Sequence, residues 1–346
     1  MRVGFLGLQG AGKSTLFAAV AGRAPGRGTA PTATGVVRVP DARVERLSAL
    51  FAPAKTTFAE IVFLDPAVER GADGPVLPEP MLAAVRDVDV LVLVVRAFEA
   101  PEVPRPRGSV SASADLQCLE EELVLRDLER VDTRLRRLTK EGKKPETAAE
   151  RQLLEKVRTA LESEIPLREG AWSEAEQVRL RGFQFLSLKP ALVVWNVGEE
   201  DLQAPPPLPE TRPGRQALVL SARIESELAA LEAAERQEYL ASLGLVEEAR
   251  DAFVRRAFHL LDLICFFTVG EDEVRAWQVR RGAQAPEAAG KIHSDLQKGF
   301  IRAEVIHYDE FLRVGSLGAA REQGVLRLEG KQYVVQDGDI MHVRHS

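Results

Sequence analysis

The chain is poor in the side chains that staple or ligate. Only two cysteines occur in 346 residues, Cys118 and Cys265, far apart and without C-x-x-C spacing. That argues against a disulfide framework and points to a reducing cytosol, with each cysteine a small apolar core residue. The five histidines, His259, His293, His307, His342 and His345, all lie in the last third, so no earlier residue supplies a histidine general base. Their spacing fits no metal pattern, and structural or surface roles are expected. Long apolar runs are absent too: "VDVLVLVV" at 88–95 is far too short to span a bilayer. The opening "MRVGFLGLQG" has no long apolar h-region, so a soluble, cytoplasmic protein with no membrane partner is expected. A formal net charge of −6 gives no wholly basic nucleic-acid binder, and no DNA partner is expected, although a local basic face can hide within it.

What is present is organised in three blocks, in keeping with a length of roughly two to three domains. "VGFLGL", "EIVFLD", "VDVLVLVVRAF", "KPALVVWN" and "RQALVLSA" are β-rich runs separated by helices and loops, the pattern of a mostly parallel, doubly wound α/β sheet. Between them, Leu128, Val131, Leu135 and Leu138 recur at helical spacing. After "KEGKKPET", Leu153, Leu154, Val157 and Leu161 form a second stripe. This predicts an inserted α-helical hairpin, either packed on itself as a structural element or serving as a partner-binding arm. From residue 256, short strands around "APEAAGKIHSDLQKG" read as a compact α+β domain. The expected domains are 1–112 with 182–255, the hairpin 113–181, and 256–346.

"GLQGAGKST", residues 7–15, carries the chemistry. Gly7, Gly12, Lys13 and Ser14 fit G-x-x-x-x-G-K-[ST], between a predicted strand and a predicted helix. The glycines let successive backbone N–H groups of Gln9, Gly10, Ala11 and their neighbours turn inward toward phosphate, at the positive end of the helix that Thr15 enters. Lys13 is expected on the β- and γ-phosphates and the Ser14 hydroxyl on Mg²⁺. Asp65, closing the strand "EIVFLD", is expected to hold Mg²⁺ through water. Asn196, Val197 and Glu199 follow another strand, and Ser221 and Ala222 a third, where a doubly wound sheet places a base above the phosphates.

In order and content these residues resemble the YchF/Obg-like ATPases, a P-loop group related to translation factors, with a helical insertion and a C-terminal TGS (β-grasp-like) domain. "GAQAPEAAGKIHSDLQKGFIRAEVI", "EGKQYVVQDGDIMHV", "LSLKPALVVWNVGEE" and "TGVVRVPDARVERL" carry the likeness along nearly the whole chain. It implies an N-x-x-E base-reading element at Asn196 and Glu199, with ATP accepted, or GTP, and with Val197 on a base face. It also implies action at the ribosome or on RNA, with Arg280, Arg281, Lys291, Lys298 and Arg302 as the basic residues of the TGS-like domain. An ordinary solvated face is the alternative for those five.

Some segments depart from the pattern. "DPAV" at 65–68 stands where the group has D-x-x-G, so β-branched Val68 behind Pro66 replaces the glycine that senses the γ-phosphate. "ERGADGPVLPEP" replaces a glycine-rich loop, and Thr29 or Thr32 is left as the switch threonine. "PEVPRPRG" at 101–108 has no counterpart to a histidine thought to assist hydrolysis, and "APPPLPETRPG" at 204–214 favours extended chain over a helix. The changes spare phosphate binding and touch phosphate sensing, so binding with slow or absent intrinsic hydrolysis is expected. The competing expectation is a module that holds nucleotide as a fixed ligand and docks RNA or protein. A P-loop kinase is a distant third, since no acceptor lid is evident.

Overall fold

The uninterrupted apolar runs become the middle of a sheet, because a strand covered on both faces has no polar side. The computed structural model describes residues 1–22, 32–67, 76–100, 111–140, 145–245 and 247–345. In chain order the elements begin β1 (Arg2–Gly7), α1 (Lys13–Ala21), β2 (Thr32–Arg38), α2 (Ala42–Phe51), β3 (Lys55–Thr57), β4 (Glu60–Pro66) and α3 (Glu79–Ala84). There follow β5 (Val90–Ala97), α4 (Ala112–Lys140), α5 (Pro145–Glu162), α6 (Glu174–Arg181), β6 (Ala191–Val197) and β7 (Arg215–Leu220). Next come α7 (Ala222–Leu228), α8 (Ala233–Ser242), α9 (Ala249–His259), β8 (Leu263–Thr268), β9 (Glu273–Arg280) and α10 (Ala285–Ile292). The last are α11 (Ser294–Lys298), β10 (Phe300–His307), α12 (Tyr308–Val314), α13 (Leu317–Glu322), β11 (Arg327–Glu329) and β12 (Asp339–His345).

Contacts divide the chain into two compact units, Met1–Val37 with Val62–Leu260, and Arg38–Ile61 with Leu261–Ser346. The first is built on a six-stranded sheet ordered β2-β4-β1-β5-β6-β7. Its inner pairings, β1 with β4 and β5, β5 with β6 and β6 with β7, are all parallel. β6 is buried at all seven positions. On one face Phe5 meets Phe17, Phe63 and Phe253 with ring centroids 5.7–5.9 Å apart. Phe253 belongs to α9, which is why the first unit runs to Leu260 rather than ending at 255.

The hairpin forms as predicted. Val131, Leu138, Leu154, Val157 and Leu161 fill its seam, and Arg134 on α4 makes two hydrogen bonds, 2.7 and 3.0 Å, to Glu150 on α5. Its root is polar. Fully buried Asp127 accepts from the Leu186 and Ser187 N–H groups and the Ser187 hydroxyl at 2.7–2.9 Å. Burial raises its pKa and those three bonds oppose the shift.

The second unit has a mixed six-stranded sheet ordered β11-β10-β12-β8-β9-β3. Its edge strand comes from far upstream, with β3 pairing parallel to β9 from Lys55–Glu273 to Thr57–Arg275. Arg43 on α2 bonds Asp41 and Asp337, and Phe51 stacks on Phe311 at 5.5 Å. Residues 38–61 therefore group with the C-terminal sheet, where the sequence reading had them in the nucleotide-binding block. The single expected helical segment is two helices, α10 and α11, broken at His293, and α12 and α13 add two short helices that sequence reading did not separate. His293 and His307 have capping roles, each Nδ1 accepting from the backbone N–H two residues on, at 3.3 and 3.4 Å. "KQYVVQDGDIMHV" is strand only from Asp339 onward.

Candidate nucleotide site

The phosphate loop closes on backbone geometry. Gly12 ends it at φ 85°, a conformation that disfavours any Cβ, and a Cβ there would lie 2.1 Å from the Asn196 amide nitrogen. A Cβ on Gly7 would meet the Val94 carbonyl at 2.7 Å. Ala11 donates to the Leu8 carbonyl at 3.1 Å, and Leu16 donates to the Gly12 carbonyl at 2.9 Å, starting α1 where the loop ends. Gln9, Ser14 and Thr15 are exposed, and Gly10 has φ 79°.

Lys13 is the unusual residue. Its amine is buried, is ion-paired with Asp65 and donates to the Pro66 carbonyl at 2.7 Å. Burial drives its pKa below the ordinary lysine value, and Asp65 only partly opposes that. Lys13 and Asp65, far apart in sequence, are thus brought together at the carboxyl end of β4, beside the start of α1.

Asn196 ties the loop to the opposite wall. Its side-chain amide donates to the Ala11 carbonyl at 2.9 Å, while its carbonyl accepts from the Ala222 N–H at 2.8 Å. One buried side chain therefore joins three of the expected segments: the phosphate loop, the end of β6 and the turn into α7. Ser221 is buried at the N-terminus of α7, its hydroxyl making no capping bond, and Glu199 is exposed beyond β6. Val197 differs from expectation. As the last residue of β6 its side chain is 2% exposed within the core, so it offers a base only backbone. Thr32 starts β2. Thr29, Val68 and the 101–108 segment lie outside the described residues.

Sequence reading missed Glu225. It lies in α7, three residues past Ala222, and accepts from the Ala249 and Arg250 N–H groups at 3.1 and 3.0 Å. Arg250 in turn donates to the Val20 carbonyl in α1 at 3.1 Å. Burial pushes the Glu225 carboxyl up to about 7 against those two bonds. The available signal was a carboxylate flanked by the core residues Ile224 and Leu228.

The donor set suits a magnesium nucleotide. Among the described residues no three His, Cys, Asp or Glu side chains converge as a metal cage. Mg²⁺ needs none, since it commonly takes one or two protein oxygens with phosphates and water. The Ser14 hydroxyl and the Asp65 carboxylate are the oxygens that would serve. Among the described residues no helix is long and apolar enough to cross a membrane.

A mostly parallel sheet whose glycine loop opens α1, with an inserted helical hairpin and a C-terminal α+β unit, defines a P-loop NTPase of the G-domain type. Comparison with known proteins narrows this. A family model named YchF-GTPase_C, described as a protein of unknown function (DUF933), matches residues 263–346. The ribosome-binding ATPase YchF of Bacillus subtilis is 38% identical over 363 residues, covering 100% of this chain and 99% of that one. Obg-like ATPase 1 of rice, Oryza sativa subsp. japonica, is 36% identical, covering 100% and 92%. The solved YchF GTPase of Schizosaccharomyces pombe superposes with a TM-score of 0.88 at 29% identity, covering 99% of this chain and 97% of its own. The chain belongs to the YchF family.

Proposed function

We propose that this protein binds Mg²⁺ and a purine nucleoside triphosphate, ATP or GTP, at the loop of residues 7–15, with slow or absent intrinsic hydrolysis. We further propose that it acts on the ribosome. The observation that carries the reading is the desolvated Lys13 amine, held by Asp65 and the Pro66 carbonyl at the mouth of α1. A cation whose burial works against its charge gains most from a phosphate arriving beside it. Asp65, released from the lysine, is free to hold Mg²⁺ with Ser14. Gly7, Gln9, Gly10, Ala11, Gly12 and Thr15 supply the backbone cradle, with Asn196, Glu199, Ser221 and Ala222 around the base. Glutamate at position 199 is one methylene longer than the aspartate that clamps guanine, which favours tolerance of adenine.

For the ribosome, the names of the relatives support the partner. Arg280, Arg281, Lys291, Lys298 and Arg302 are all exposed in the second unit. Arg281 pairs with Asp262 at 2.9 Å, whereas Arg280, Lys291 and Arg302 have no carboxylate partner among the described residues. Calorimetric titration with ATP, GTP and non-hydrolysable analogues, followed by phosphate release on the same sample, tests the first part. No affinity for any purine nucleotide refutes binding, and brisk unassisted turnover refutes slow hydrolysis. Salt-dependent co-sedimentation with ribosomes that survives Lys291→Glu with Lys298→Glu would refute the assigned surface.

A further inference from the structure

The helical arm carries its charge unevenly. Arg134, Arg136, Arg137, Lys140 and Arg151 outnumber Asp132 and Glu150 toward the tip of the hairpin, whereas Glu121, Glu122, Glu162 and Glu164 lie at its root with Glu120, which Arg168 and Arg215 hold. At that root a groove of about 410 Å³ opens between the start of α4 and the end of α5. Val124, Leu128 and Leu161 line it, with Leu125 48% exposed, and no lysine or arginine contributes among the described residues.

Its carboxylates are not equivalent. Glu122 is held by Arg126 at 2.7 Å, and Glu162 lies 3.6 Å from Arg158. Among the described residues Glu121 accepts only from the neutral Gln117 amide at 2.7 Å, and Glu164 meets no cation. Glu164 also occupies a position that usually belongs to glycine. It ends α5 at φ 58°, with the Ile165 N–H returning to the Ala160 carbonyl at 3.1 Å. A side chain in left-handed backbone is a standing cost to the fold. Here it sets an uncompensated carboxylate beside an exposed leucine.

We propose that this groove docks a basic amphipathic segment of a partner protein, its aliphatic side chains entering beside Leu125 and Leu128 and its lysines or arginines meeting Glu121 and Glu164. The charge pattern favours such a segment over RNA, whose phosphates the rim repels. The site shares no residue with the nucleotide loop or with the basic residues of the second unit.

Cys118, half-buried in the groove, is a native reporter, because the other cysteine, Cys265, is buried with its thiol pushed up to about 12. The probe is a synthetic helical peptide of about fourteen leucines and lysines. Binding to the full chain is read by fluorescence anisotropy and by the rate of Cys118 alkylation with iodoacetamide. The peptide should slow alkylation roughly fivefold or more, and Glu121→Gln with Glu164→Gln, or Leu125→Gln alone, should weaken binding by about tenfold. Glu164→Gly should raise the melting temperature yet weaken the peptide, which separates docking from folding. Equal binding by the variants, or no protection of Cys118, overturns the proposal. So does protection by oligouridylate, which would make this an RNA site. Protection that grows with protein concentration alone would make the occupant a second copy, and also overturns it.

Discussion

Two cation–carboxylate groupings, one buried and one partly exposed, are built to opposite ends. Lys13 pairs with Asp65 in the first unit, and Arg43 pairs with Asp41 and Asp337 in the second. Burial works against both cations. At Lys13 burial wins, and the amine falls below its ordinary value. At Arg43 the hydrogen bonds and charges of Asp41 and Asp337 outweigh burial, and the guanidinium rises above its ordinary value. Asp337, which also accepts from the Cys265 N–H at 2.9 Å, is held below the usual carboxylate range despite its own burial. A closed network of this kind is a fastener, joining α2 to the C-terminal sheet. An under-compensated pair is a place where a further charge is welcome.

The bias extends beyond the two pairs. In the first unit Asp127 and Glu225 are shifted upward by burial and Lys189 downward, each against its own charge. The second unit has counterexamples: burial raises Asp339 despite bonds from Tyr333 and Gln336, and it raises Cys265 and Tyr333 as well.

The largest expected effect tests the Lys13 side of the contrast. Lys13→Ala should weaken MgATP or MgGTP by roughly a hundredfold, about 3 kcal/mol, the scale of a lost charge-assisted contact to phosphate. Because Lys13→Ala leaves the buried Asp65 carboxylate without its cation, the ligand-free protein should also lose about 3 kcal/mol of stability. Calorimetry beside thermal unfolding measures both. A nucleotide affinity left intact would mean that the pair is a fastener after all.

How much of this was legible in sequence follows from what each region needs. The central strands had to be apolar throughout, so "VLVLVV" and "ALVVW" announced β5 and β6, and the glycine pattern located the loop because glycine alone tolerates its turns. The seam of the arm was equally plain from leucine spacing. The second sheet was opaque where it borrows β3, a strand of three residues, Lys-Thr-Thr, with no alternation to read. Nothing local in α2 says which sheet its apolar stripe will cover. Val197 was misjudged for a related reason: its neighbour Asn196 turns toward the loop, and alternation along a strand sends the next side chain into the core.

A second prediction concerns pH. The folded pKa of Glu225, about 7, stands above its ordinary value of 4.5, so the folded state binds the proton more tightly. This contribution is full below the unfolded pKa and is lost as pH rises through the folded one. Stability should therefore fall by about 2.5 kcal/mol between about pH 5 and pH 8 from this group alone. Glu225→Gln should flatten that slope in urea titrations across the range. An unchanged slope would show that Glu225 carries its charge in the fold without penalty.

Arg43→Ala tests the fastener. It removes both carboxylate contacts and the guanidinium placed 5.0 Å from the Phe267 ring centre, yet leaves Asp337 its bond from Cys265. Since the arginine is partly exposed, a loss of about 2 kcal/mol is expected, below that for breaking a fully buried pair. Hydrogen exchange should report it in β3, β8 and β9, with nucleotide affinity unchanged. Weaker nucleotide binding would sink the division of labour between the pairs.

The smallest effect is a gain, and it sharpens the same boundary. α2 ends at Ala52, whose φ of 43° and ψ of 51° place an alanine in left-handed backbone, its N–H bonded to the Ser48 carbonyl at 2.9 Å. Glycine removes the Cβ clash but loses more freedom on folding, so Ala52→Gly should stabilise by about 0.5–1 kcal/mol. Because residues 38–61 group with the C-terminal sheet, the gain should appear as slower exchange in α2, β3 and β9. If it appeared instead in β1, β4 and β5, those residues would take their stability from the first unit's sheet, and the fastener would belong to that unit.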